Sequence, residues 1–311
     1  MQTPARRGQE IILILAVSVI LTGCKPDKYS GGSGSHIDPY KIATADDLLE
    51  LAAETNDYGA HFILTADIDL NPNLPGGQFF IAALIANDTN NSGCGFDGVA
   101  FTGVFDGKGH KIADLTINTC GTGGDYLGLF GQITGGQVQN LILKDVSIKG
   151  GRGSSYVGGL AGCSHKSNIK NCSVTGKVAG RDNSDSIGGL MGDNCFSKIV
   201  GSSSICDVRS GAYSSNIGGL VGGNIGTIQK CKASGTVTGG DTSMWLGGLV
   251  GSNSGAIRDC YSTGTVTGGE YSYNLGGIAG DSPNGTIVNC HSTTKVEVMI
   301  LNTGRSIAWN K

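Results

Sequence analysis

The chain has no proline between Pro75 and Pro283. Proline cannot donate to a β-ladder, so a stretch of that length without it suits a backbone whose N–H groups are claimed by neighbouring strands. Charge is also scarce: Asp, Glu, Lys and Arg make up 15% of 311 residues, with a formal net charge of −3. No basic stripe is apparent that could displace counterions from phosphates, and nucleic acid is not expected as a partner. No Cys-x-x-Cys pair occurs, and none of His36, His61, His110, His165 and His291 opens a His-Glu-x-x-His motif. The spacings that hold structural zinc or build a zinc peptidase are therefore missing, and neither a metal nor a cofactor is expected. Apolar runs are short as well. The longest, Ile11 to Leu21, falls below the length of a transmembrane helix.

Glycine is plentiful, 54 residues, but with 6 prolines and 39% hydrophobic residues the chain is neither collagen nor a linker. Glycine pairs stand at Gly158-Gly159, Gly188-Gly189, Gly218-Gly219, Gly247-Gly248 and Gly276-Gly277, with a degenerate copy around Gly128, in steps of 29 or 30 residues. No unit shows a helical period. Each reads as three β-like runs, in one copy Ile217 to Val221, Ile228 to Ala233 and Thr236 to Thr238, separated by Gly, Asn and Ser turns. Such a unit is one coil of a solenoid, and the class expected is all-β, a right-handed parallel β-helix with coils stacked at about 4.8 Å. A propeller blade needs more residues.

Stacking sorts the repeat into columns. Ile169, Ile199, Ile228, Ile257 and Ile287 form one; Cys172, Cys231, Cys260 and Cys290, with Ser202 in the vacant place, form another; Val178, Val208, Val237, Val266 and Val296 form a third. These should face inward with Leu160, Leu190, Leu220, Leu249 and Ile278, while the glycines allow a bulge or a tight corner. Upstream, Thr44 followed by "ADDLLELAAET" predicts a short capped helix covering the N-terminal end of the solenoid.

The motif "GGLVGxNxGxIxxCxxxGxV" resembles the GLUG repeat of bacterial surface proteins over most of residues 126 to 297, and "FTGVFDGKGHKIADLTI" looks like the segment that precedes such repeats. The resemblance implies an exported, β-helix-like protein with no single activity attached. It also brings to mind immunoglobulin A peptidases, where GLUG repeats accompany a peptidase domain. The copy at Gly188 departs from the motif, with Ser202 and Cys206 in place of Cys and Gly.

At the N-terminus, Arg6 and Arg7, the apolar run and "LTGC" resemble the signal and lipobox of a bacterial lipoprotein. By that resemblance Cys24 carries the lipid, and the membrane is a partner through it. Lys25 in place of the aspartate that retains some lipoproteins implies the outer membrane or cell surface. The domains read as a signal peptide over 1–23, an anchor and flexible tether over 24–39, a cap and first coils over 40–125, the GLUG solenoid over 126–297 and a closing tail over 298–311.

Three groups are candidates for chemistry. Cys163 and Cys195, at turns of adjacent coils, and Cys94 and Cys120, in Gly-rich loops, are the four better disulfide candidates, with the connectivity open; the column cysteines read as small hydrophobes. Asp67, Asp69, Asp106 and His110 are the best acidic group for a polysaccharide lyase or hydrolase, the alternative to a non-enzymatic scaffold, although Asp and Gly also shape turns. The third is an edge. Before the inward aliphatic of each glycine strand stand Tyr126, Tyr156, Ser186, Asn216, Trp245 and Asn274, and nearby loops add Tyr213, Tyr271, Tyr273, Asp125, Asp182, Asp185, Asp241 and Glu270. Aromatic and acidic groups on one edge can stack on sugar rings and orient hydroxyls. The ligand expected there is a glycan or an extended peptide of a surface protein, taken mainly by Tyr126, Tyr156, Tyr213, Trp245, Tyr271, Tyr273, Asp241 and Glu270.

Overall fold

The computed structural model describes residues 28–90, 95–121 and 123–299. The signal segment, Cys24, Cys94 and residues 300–311 lie outside them. Within them the chain is a β-solenoid in which each strand pairs in parallel with the equivalent strand of the coils before and after.

A coil contains four strands rather than three. In one copy they are Ser215–Gly218, Val221–Asn224, Thr227–Gln229 and Lys232–Thr238, and in chain order they define faces one to four of the solenoid. The expected run from Ile217 to Val221 is broken at Gly219 and Leu220, because the chain turns a corner there. That corner needs the glycine pair for space: a Cβ on Gly218 would collide with the Val221 carbonyl, and one on Gly219 with the Gly248 carbonyl of the next coil. The other two expected runs are regrouped. The turn falls at Lys230, whose φ is +53°, so Ala233 joins the strand of Thr236 to Thr238.

The inward columns hold. Ile169, Ile199, Ile228 and Ile257 are in register on face three and fully buried, as are the leucines after the glycine corner, and Val178, Val208, Val237 and Val266 are buried on face four. In the last described coil Ile287 and Val296 are each 41% exposed, because no later coil among the described residues covers them.

The cysteine column is buried but does more than fill space. Cys231 donates its N–H to Cys260 Sγ at 3.4 Å, and its thiol donates to the Ile199 carbonyl of the preceding coil at 3.7 Å. Where the column changes to serine the pattern persists, Cys172 N–H donating to Ser202 Oγ at 3.1 Å. These thiols therefore satisfy backbone groups at a buried turn. Burial pushes Cys172 up to about 12, so it is a neutral donor.

Two further polar columns run inside the solenoid. Ser154, Ser184, Ser214 and Ser243 are buried at the corner between faces four and one, with Ser184 N–H donating to Ser214 Oγ and Ser214 N–H to Ser243 Oγ. Asn194, Asn224 and Asn253 are buried and in register at the end of the face-two strands. Both columns occupy positions that read as turns in the sequence.

The expected helix is present as Ala45–Ala53. Thr44 Oγ1 accepts from Asp47 N–H, and the Asp47 carboxylate accepts in return from Thr44 N–H, closing a capping box. Leu48 and Leu51 are fully buried and join the same apolar cluster as Ile42 and Phe62 of the first coils. Aromatic packing continues this core, with the rings of Phe101 and Phe130 5.1 Å apart.

Candidate functional site

The edge column lies on face one, and its geometry is a repeated bulge. Tyr126, Tyr156, Ser186, Asn216, Trp245 and Asn274 all have left-handed backbone, with φ between +53° and +59°. Parallel pairing skips each of them, Ser155 matching Asp185 and Val157 matching Ile187. A non-glycine residue pays steric strain there, least for Asn, which two of the coils use. The third glycine of the motif makes the bulge possible: a Cβ on Gly192 would strike the backbone of Tyr156 in the preceding coil, and one on Gly280 that of Trp245.

The expected aromatic residues occupy three columns along this edge. Tyr126, Tyr156 and Trp245 share the bulge. Tyr213 and Tyr271 take the left-handed corner of the turn before it, with φ of +56° and +60°, and Tyr273 sits beside the bulge in register with Met244. Their availability differs. Tyr126 is buried, stacked on Tyr156 at 4.7 Å between ring centres and met edge-on by Phe96 at 5.2 Å. Burial raises both phenols, Tyr156 to about 12. Tyr213 and Tyr271 are 66% and 76% exposed, Tyr273 is 47% exposed, and Trp245 is half-buried.

The acidic partners are partly committed. Asp241 Oδ1 accepts from Glu270 N–H of the next coil at 2.9 Å, and Asp182 Oδ1 accepts from Ala212 N–H at 3.0 Å, so these carboxylates hold the turn that presents the tyrosines. Asp185 accepts from Ser215 Oγ and from Asn216 Nδ2. Glu270, which precedes Tyr271 in the same turn, is half-buried.

The alternative acidic group does not converge. His110 Nδ1 lies 3.3 Å from Asp67 Oδ1, which also accepts from Lys111 N–H at 3.1 Å, and Asp69 lines the same shallow depression as Asp67. Asp106 lines a different depression, on face three. It is engaged from four sides. Burial alone would raise its carboxyl, but bonds from Asn140 Nδ2, Lys108 N–H and Gln139 Nε2, with the Lys108 ammonium at 3.2 Å, hold it below the usual carboxylate range. A carboxylate so anchored shapes a turn and has no free lone pair for a general base.

The sulfurs of Cys163 and Cys195 come within 3.9 Å from adjacent coils, both thiols free. Their backbones are offset by two positions, Cys163 pairing with Asp193 and Cys195 with His165, which is a wide separation for a bridge. Cys120 is exposed and free, and Cys94, the fourth candidate, lies outside the described residues.

The GLUG motif matches residues 153–179, 213–238 and 245–267. The coil between the first two, which carries Ser202 and Cys206, lies outside these matches. Halomucin from Haloquadratum walsbyi (strain DSM 16790 / HBSQ001) is 34% identical over 160 residues, 49% of this chain but 2% of that protein's length. In three dimensions the chain is similar to a crystal structure from Bacteroides ovatus provisionally named as an immunoglobulin A1 protease, with a TM-score of 0.66 and 22% identity, over 91% of this chain and 83% of that one. At that identity the likeness concerns the fold alone. By fold the chain is a β-solenoid, and three stretches of it match the GLUG motif.

Proposed function

We propose that the chain is a surface scaffold, lipid-anchored to the cell envelope through Cys24, that binds an extended glycan or peptide strand along the edge carrying Tyr213, Trp245, Tyr271 and Tyr273. The observation that carries this reading is the exposure of Tyr213 and Tyr271 on equivalent turns two coils apart, held there by Asp182 and Asp241. A large ring kept in solvent on a stiff turn loses little entropy on binding, and repetition along the axis gives an extended ligand several weak contacts that add. The GLUG motifs and the likeness to halomucin support display at a surface. The protease name belongs to the structural neighbour and brings no activity to this chain.

Glycan-array and whole-cell binding by the Tyr271→Ala, Tyr273→Ala double variant tests it. Binding should fall with an unchanged melting temperature. Full binding by the folded variant would leave the edge as turn packing.

A further inference from the structure

Face three carries a different surface from the tyrosine edge. Its inward isoleucine column is flanked by two outward columns. One runs His61, Val104, Gln137, Asn168, Lys198 and Thr227; the other runs Ile63, Asp106, Gln139, Lys170, Val200, Gln229 and Arg258. Two adjoining depressions, of about 550 and 420 Å³, lie along this face and share Gln137 and Gln139, so they form one trough parallel to the solenoid axis.

The trough is basic although the chain as a whole is slightly acidic. Lys170, Lys198 and Arg258 are exposed, and among the described residues none of them has a carboxylate within ion-pair distance. The one carboxylate in the columns, Asp106, is already neutralised by Lys108. Acidic groups lie mostly on the other faces, Asp185, Asp193 and Asp281 on faces one and two and Asp69, Asp145 and Asp207 on face four, while Asp259, at the corner after face three, accepts from Gln229 Nε2. Between the cations stand amides aligned in advance: Gln137 Nε2 donates to Gln139 Oε1 at 2.8 Å, and Gln139 Nε2 donates to Asp106. Asn168 is exposed beside them.

We propose that this face is a binding trough for a linear acidic polysaccharide, its carboxylate or sulfate groups paired with Lys170, Lys198 and Arg258 and its hydroxyls bonded to Gln137 and Asn168. Lys170 and Lys198 line the trough on adjacent coils and Arg258 stands two coils further along the same face, a row that matches a polyanion whose charges recur along its length, and counterion release drives the association. The two outward columns contain no Trp, Tyr or Phe between His61 and Arg258. Single-stranded nucleic acid, which such grooves hold by stacking bases on aromatic rings, fits them less well.

The test is affinity electrophoresis of the purified protein through gels containing polygalacturonate, dextran sulfate, neutral dextran or single-stranded DNA. Retardation by polygalacturonate or dextran sulfate is expected, distinguishing carboxylate from sulfate recognition, with none by neutral dextran. The Lys170→Gln, Lys198→Gln double variant should lose about tenfold or more of that affinity at low salt. A control of equal net charge, Lys177→Gln with Lys232→Gln on the exposed outside of face four, should bind as the parent does. The proposal is overturned if both double variants lose affinity alike, if neutral dextran retards the protein as strongly, or if DNA alone does so. Thermal melts of both variants establish that each is folded, and an unfolded Lys170, Lys198 variant is replaced by Lys170→Arg with Lys198→Arg, which should restore parental binding.

Discussion

Asn224 Nδ2 donates to Asn253 Oδ1 at 2.7 Å, and both carboxamides are buried inside the solenoid. Asn194 donates to Asn224 in the same way, and Asn253 continues the line to Ser282. Each acceptor oxygen also receives the N–H two residues on, Gly226 for Asn224 and Gly255 for Asn253. One carboxamide therefore serves its own turn and both neighbouring coils. Asn224→Ala should cost about 1–3 kcal/mol for the donors left unpaired, and Asn224→Leu should be no better, because it fills the space without bonding. Chemical denaturation of the two variants checks this; a leucine variant as stable as the parent would show the ladder to be dispensable.

Ile228 and Trp245 separate inside from outside. Ile228→Asp places an unpaired charge in a fully buried column and should unfold the solenoid or lower its stability by several kcal/mol. Trp245→Asn should leave the melting temperature within a few degrees of the parent, since Asn216 and Asn274 already occupy that left-handed position. The opposite ranking of the two melts would mean that the inward and outward columns are exchanged.

Asp193 should make the protein sensitive to pH. Burial raises its carboxyl above the ordinary range, Asp185 adds like charge, and the Cys195 thiol and the Asn194 N–H offset this in part. A raised folded-state value means that the fold disfavours the charged form. The cost is present in full above that value and disappears as pH falls below the unfolded one. Asp193→Asn keeps an acceptor for Cys195 and should raise the melting temperature near neutral pH, with the gain vanishing at about pH 3. An equal gain at both pH values would place its origin outside ionisation.

Cys24→Ser should abolish fatty-acid labelling and leave the protein as an unprocessed precursor or free it from membranes. Metabolic labelling followed by membrane fractionation measures both. A parent protein that takes up no label would refute the anchor.

The interior was legible in the sequence because it repeats. Ile199, Ile228 and Ile257 announce one another at constant spacing, and Thr44 with its two following aspartates announces the capped helix. Ser214 and Asn224 recur just as regularly. They read as turn residues because composition does not reveal that a turn can point its side chain inward. Nor did the glycine pair reveal whether it bent a strand or divided it, since that depends on how near the Val221 carbonyl lies to Gly218.

The candidate sites were less legible, because each depends on residues outside one repeat. Tyr126 and Trp245 occupy the same column, yet Phe96, from the non-repeating N-terminal part, covers only Tyr126. Asp67 and Asp106, more than one coil apart in the chain, are candidates for one acidic group by residue type, but Gln139 and Asn140 of the next coil claim Asp106 for a turn. Lys170 and Lys198 fall at different places in their repeats, one after and one before the isoleucine, and only coil stacking sets them on one face.

Sequence alone determined that this chain coils with a period of 29 or 30 residues around isoleucine, leucine and valine columns, because stacking equal positions is the one way such short apolar units can bury themselves. Tertiary structure decided that each coil has four faces, that buried Asn and Ser ladders hold its corners, and that Lys170, Lys198 and Arg258 share one face with no carboxylate in ion-pair distance among the described residues. Those outcomes depend on which side chains of successive coils meet, and that distance is set by the stacked backbone, not by separation along the chain.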